Sequence, residues 1–252
     1  MQRLPRLLTL AALALALIGA ALASVEEARP AASGSRADAR RLRTGSFVYR
    51  EMNRGQDAGR ARIEIQQVAG SEYYRFSTEI TGEFGQCWES VATRFFEPVS
   101  AKLSFGQSPC NVPTFDIAYS GGKVSGFAVS RSAGSQPVRR SVDAAVPDDI
   151  VDQRIDWAYV LAADFENEKS FHFRVYDPGT GVSLAKARVE GVEKIQVPAG
   201  TFEACRIVYR IEKTRGVETY QVLATKGANR VMVREEFSNG FATDLLEIVG
   251  PN

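Results

Sequence analysis

Residues 62–80 read RIEIQQVAGSEYYRFSTEI, two alternating runs separated by Ala69-Gly70. Ile63 and Ile65 alternate with Arg62, Glu64 and Gln66. Tyr74, Phe76, Thr78 and Ile80 alternate with Tyr73, Arg75, Ser77 and Glu79. A period of two is that of a strand with one buried and one wet face. With Ala69-Gly70 as the turn, Ile65 is expected opposite Tyr74 and Ile63 opposite Phe76. That register puts both apolar sets on one face, as a half-buried hairpin requires.

The same pattern runs outward in both directions. It predicts strands over 86–96, 99–106, 113–119 and 123–130, and later over 169–177, 182–190, 192–197, 201–212, 217–225, 229–237 and 241–249. Asp177-Pro178-Gly179, Pro198-Ala199-Gly200 and Asn239-Gly240 supply turn residues between them. Short connections imply antiparallel neighbours, because parallel pairing needs long crossovers. One segment breaks the pattern. Pro147-Asp148-Asp149 reads as a helix start, and Val151, Ile155, Ala158 and Leu161 recur at helical spacing, with Asp152, Arg154 and Asp156 facing away. The expected fold is mainly β: a curved antiparallel sheet, half-barrel or open barrel, with one packed α-helix.

The N-terminus has the three parts of a secretory signal peptide. Arg3 and Arg6 precede a mostly apolar stretch from Leu7 to Leu22, and Ala21-Leu22-Ala23 ends in small residues, so cleavage is expected before Ser24. Residues 1–23 are thus a signal peptide, 24–43 a disordered leader containing Arg36, Arg40, Arg41 and Arg43, and 44–252 a single β-rich domain. No Cys follows the apolar stretch to carry a lipid anchor, and no second stretch of spanning length occurs. The expected product is soluble, periplasmic and not an integral membrane protein. Cleavage takes two of the 31 basic residues and none of the 30 acidic ones, leaving a net charge near −1. That balance argues against nucleic acid as a partner.

Chemistry is sparse. A single histidine, His172, cannot form a multi-histidine metal site, and it alternates with Phe171 and Phe173 as a strand residue would. No G-x-S-x-G turn and no glycine-rich phosphate loop is present. No catalytic residue, metal or cofactor is therefore assigned. Asp148, Asp149, Asp152 and Asp156 read as helix capping and a solvated face.

The cysteines say more. A turn at Pro98-Val99 places Cys87 opposite Cys110, and export makes a disulfide chemically reasonable. Its loop of about 23 residues would contribute on the order of 3 kcal/mol by chain entropy. Cys205 shares a strand face with Ile207, Tyr209 and Ile211 and reads as a buried free thiol. Tyr74, Phe76 and Trp88 gather on one face. They are either core or the lining of an open apolar pocket.

The run Val192–Tyr209, VEKIQVPAGTFEACRIVY, resembles a hallmark of a family of exported bacterial proteins catalogued as a domain of unknown function. Phe96–Phe105, FEPVSAKLSF, looks like part of the same family. The resemblance implies a curved antiparallel sheet, similar to the half-barrels of periplasmic lipoprotein carriers that hold acyl chains. It implies no catalytic residue. The functional expectation is a soluble, non-enzymatic periplasmic protein binding an apolar, lipid-like ligand or an envelope protein. Two alternatives stand beside it: an envelope hydrolase using paired carboxylates, and a structural envelope component.

Overall fold

The computed structural model describes residues 37–82, 85–106, 110–130, 136–214 and 216–250. The signal peptide expected over 1–23 lies outside them. Eight strands come first: β1 Gly45–Asn53, β2 Gln56–Gln67, β3 Tyr73–Gly82, β4 Gln86–Thr93, β5 Pro98–Phe105, β6 Val112–Ser120, β7 Lys123–Ser130 and β8 Val138–Ala145. The short β9 Ile150–Asp152, a 3-10 turn at Gln153–Ile155 and the helix α1 Asp156–Ala162 follow. Six more strands complete the fold: β10 Ser170–Asp177, β11 Gly181–Val197, β12 Gly200–Lys213, β13 Gly216–Thr225, β14 Met232–Phe237 and β15 Phe241–Val249.

All the named strands belong to one sheet, ordered β8 back to β1, then β15 back to β9. The chain walks from the middle of the sheet to one edge, crosses to the other, and walks back. The crossing decides the shape. Only Val146 to Asp149 separates edge strand β8 from edge strand β9, a connection that reaches at most about 19 Å. Fifteen strands laid flat would be roughly 67 Å wide. The sheet must therefore curl until its edges nearly meet, while β8 and β9 stay unpaired with each other.

Asp152 holds that curl in place. Its carboxylate accepts from Ser90 Oγ of β4 at 3.1 Å and from Tyr119 Oη of β6 at 2.5 Å. It also accepts the backbone N–H of Arg154 at 2.9 Å, capping the 3-10 turn. One buried side chain thus ties the last strand to the far half of the sheet.

The helix begins later than its spacing suggests. Residues 150–152 pair in parallel with β10, Ile150 opposite Arg174 and Asp152 opposite Tyr176. The β-branched pair Ile150-Val151 suits that extended, fully buried strand, so the cap falls at Asp152 and not at Asp148. The 3-10 turn and α1 form the crossover that a parallel pair needs. Asp152 and Asp156, expected on a wet face, are both buried, because α1 is enclosed by the curled sheet.

Two registers also differ from expectation. In the β2–β3 hairpin, Ile65 faces Phe76 and Ile63 faces Thr78. The turn is longer than Ala69-Gly70: Val68 and Tyr73 close it, with Ser71 donating to Val68 O. A slip of two keeps each side chain on its face, so the pattern survives. In β4–β5, Cys87 faces Ser104. The disulfide to Cys110 nonetheless forms, with Cα atoms 5.9 Å apart, because Cys110 reaches back from beyond the end of β5.

Strands β1 and β8 lie outside those expected from alternation, and the runs 182–190 and 192–197 are one strand, β11, bulged between Val189 and Gly191. Residues 37–43, assigned to the leader by composition, pack onto the domain: Ala37, Ala39 and Leu42 are buried, and Arg43 N–H donates to Arg230 O. The main core joins α1 to the facing sides of β1–β3 and β10–β15; a smaller one lies under β5–β8.

Candidate functional site

Between α1 and the inner face of β1–β5 and β12–β15 the curl leaves a cavity of about 770 Å³, within the usual range of about 300–1,000 Å³ for ligand pockets. Much of its wall is apolar: Ala61 and Ile63 of β2, Ile80 of β3, Leu103 of β5 and Phe237 of β14. Both tryptophans of the chain, Trp88 and Trp157, line it as well.

The structure separates the three aromatics singled out by pattern. Trp88 stands on the cavity wall. Tyr74 and Phe76 are buried in the core, in a stack that runs from Tyr74 to Phe76 and on to Phe96, with centroids 6.5 and 5.6 Å apart. Phe96 joins this stack through a left-handed backbone at φ 66°. Cys205 is a buried free thiol, pushed up by burial.

The cavity also holds carboxyl groups that sequence reasoning did not select. Glu51 of β1 faces Thr243 of β15, and Thr243 faces Glu235 of β14. The three form one row across adjacent strands on the inner face. Thr243 Oγ1 donates to Glu51 at 3.2 Å. Asp156, at the start of α1, approaches the same region. Tyr209 Oη lies 3.4 Å from Asp156 Oδ1 and 3.3 Å from Glu235 Oε1. A phenol has one proton to donate. When it serves one carboxylate, the other carboxyl must carry its own proton to bond the phenolic oxygen.

Burial drives the electrostatics. It raises Glu51 to about 7, opposed by the Thr243 hydroxyl. It raises Asp156 to about 7 against the Trp157 N–H and the charges of Arg154 and Lys213. Glu235 rises to about 8, first from burial and then from the charges of Asp156 and Glu51. The two cations that line the cavity each form an ion pair, although the buried Arg154 Nε has no hydrogen-bond partner among the described residues. Arg154 Nη1 bonds Asp177 at 2.6 Å, and Lys213 Nζ bonds Glu218 at 2.6 Å. Among the described residues no cation forms an ion pair with Glu51, Asp156 or Glu235, and no three His, Cys, Asp or Glu side chains are spaced to hold a metal ion.

Glu51 and Glu235 did leave a trace in the sequence. Each continues an inward alternation, Phe47-Tyr49-Glu51 and Val233-Glu235-Phe237, where a further apolar residue is the ordinary choice. A carboxyl on the apolar face of a strand is the signal that could have found them.

Fold and site together define a β-barrel-like domain: one open sheet curled around a helix and a partly acidic cavity. The chain belongs to the family described as "Protein of unknown function (DUF3108)", whose model matches residues 46–246. Among solved structures it is similar to the beta-barrel-like protein of domain of unknown function DUF1849 from Brucella abortus, at 11% identity and a TM-score of 0.55, covering 83% of this chain and 99% of that one. It also matches a protein described as exported, with a YmcC-like fold, from Bacteroides fragilis, at 13% identity and a TM-score of 0.38, covering 85% and 100%. The first likeness is one of fold. No curated protein matches the sequence. No helix among the described residues is long and apolar enough to cross a membrane.

Proposed function

We propose that this is an exported, periplasmic, non-enzymatic binding protein that holds an apolar, lipid-like ligand in the cavity beneath α1. The N-terminal charge and apolar pattern supports export. The observation that carries the binding reading is the cavity itself: about 770 Å³, mostly apolar, with both tryptophans on its wall. A concave, mostly apolar pocket of this size with a few polar groups is the usual form of a small-molecule site.

A hydrolase using paired carboxylates is the second reading, favoured by the convergence of Asp156 and Glu235 on Tyr209. Acid–base division of labour needs environments that push two carboxyl groups apart. Here burial pushes both upward, to about 7 and about 8. The pair suits recognition better than general acid and base.

Native mass spectrometry of the full chain isolated from its own envelope tests the binding reading. A bound mass that is lost on denaturation and restored from a lipid extract is the expected result. Apo protein that takes up nothing from the extract would contradict it.

A further inference from the structure

The cavity carries carboxyl groups that its cations do not pair. Asp156 is 5% and Glu235 7% exposed, yet both line the cavity. Only one oxygen of each is hydrogen-bonded: Asp156 Oδ1 to Trp157 N–H and Tyr209, Glu235 Oε1 to Tyr209. Asp156 Oδ2 and Glu235 Oε2 have no donor among the described residues. Glu51, in the same row as Glu235, has only the Thr243 hydroxyl. A buried carboxyl with no cation beside it neutralises by holding a proton, and a cation brought into the cavity these groups line would let them ionise instead.

The other charged and titratable groups around the site do not fill that role. From β12, Lys213 is held by Glu218 of β13. Tyr220 of β13 donates to Glu218 at 2.5 Å. Arg154, before α1, is held by Asp177 and lies 3.4 Å from Asp152. Tyr49 of β1 donates to Met232 O at 3.0 Å. Tyr209 has one proton for two carboxyl groups.

Building on the cavity as an apolar-ligand site, we infer that its occupant is an amphiphile with an ammonium head, seated so that the head meets Asp156 and Glu235, the two carboxyl groups that converge on Tyr209, while the chain lies along the apolar wall. An ammonium offers three donors and a charge, enough to reach the open acceptors of both Asp156 and Glu235. A carboxylate or phosphate head would face like charge. A metal ion is disfavoured by the spacing of the same groups. Because Asp156 and Glu235 hold protons near neutrality when no cation pairs them, an ammonium must displace those protons, and its affinity should rise with pH across about 6 to 8.5.

Calorimetric titration of the purified full chain with dodecylammonium, dodecanol and dodecanoate, each below its aggregation concentration, tests this at pH 5.5 and 8.5. At pH 8.5 the amine should bind at least ten-fold tighter than the alcohol, with the carboxylate weakest. At pH 5.5 the amine's advantage should shrink to two-fold or less. Glu235→Gln, close to isosteric, should remove most of the amine's advantage over the alcohol at pH 8.5. Alcohol and amine binding equally at pH 8.5, or a preference unchanged in Glu235→Gln, would overturn the ammonium assignment and leave the apolar site standing. If none of the three chains binds, the cavity reading falls with it.

Discussion

Replacing Arg230 by alanine is expected to lower unfolding stability by about 3–5 kcal/mol, the sum of the buried carbonyls it leaves without donors. Arg230 is 3% exposed. Its Nη1 donates to the carbonyls of Leu161, at the end of α1, and Ala163, just beyond it, at 2.8 and 2.5 Å. Its Nε donates to Gly227 O at 2.9 Å, and its guanidinium lies 3.9 Å from the Phe165 ring centroid. Glu166 accepts from Nη2 at 3.2 Å. Removal strands acceptors at the C-terminal end of the helix that roofs the cavity, each costing about 1–3 kcal/mol when buried and unmet. Arg230→Lys keeps the charge but not the fork, so it should fall between wild type and alanine. Denaturant titration reads this directly. A loss under about 1 kcal/mol for alanine would mean that Arg230 does not cap the helix in solution.

Glu235→Gln is expected to stabilise the protein at alkaline pH and leave it nearly unchanged in acid. The carboxyl is raised from 4.5 to about 8 by burial and by its neighbours. Between those values the folded state holds a proton that the unfolded state has released, so stability is fully present at low pH and lost as pH rises. Glutamine, which never ionises, escapes that loss. At roughly 1.4 kcal/mol per pH unit, the gain at pH 9 should be about 2–4 kcal/mol. Asp156 and Glu51, raised in the same direction, give the wild type a falling profile from about pH 4.5 to 8. Carboxylates lowered by hydrogen bonds or cations, Glu166 and Asp177 among them, act with the opposite sign below about pH 4.5. Melting at pH 4.5, 7 and 9 checks both parts. A wild type more stable at pH 9 than at pH 5 would contradict the protonated interior.

What the sequence disclosed and withheld follows from the range of each physical signal. Alternation at Ile63-Ile65 and Tyr74–Ile80 is local, so the inward faces of β2 and β3 were legible even though the hairpin slipped by two. The Cys87–Cys110 bridge is present although its inferred register was not: two cysteines near one strand end can meet without facing each other. Ile150-Val151 satisfies helical spacing and strand propensity equally, and pairing with β10 decided between them. Asp156 looked wet because nothing near it in the chain announces that both sheet edges close around α1. That closure depends on the short link between β8 and β9, a long-range consequence of topology, and the acidic cavity depends on the closure. Trp88 could be placed on the cavity-facing side by alternation. Its partner Trp157 could not, since the helix it sits on has seven residues and is buried almost all round.

An apolar chain in the cavity would lie within reach of Trp88 and Trp157, which stand on its wall. Titrating the full chain with a long-chain alcohol brominated at mid-chain brings a heavy-atom quencher to both at once. Most of the tryptophan emission should be quenched, saturably and at one alcohol per protein, with unbrominated alcohol restoring it. Emission that declines only linearly, as it would with a small aqueous quencher, would contradict binding in the cavity.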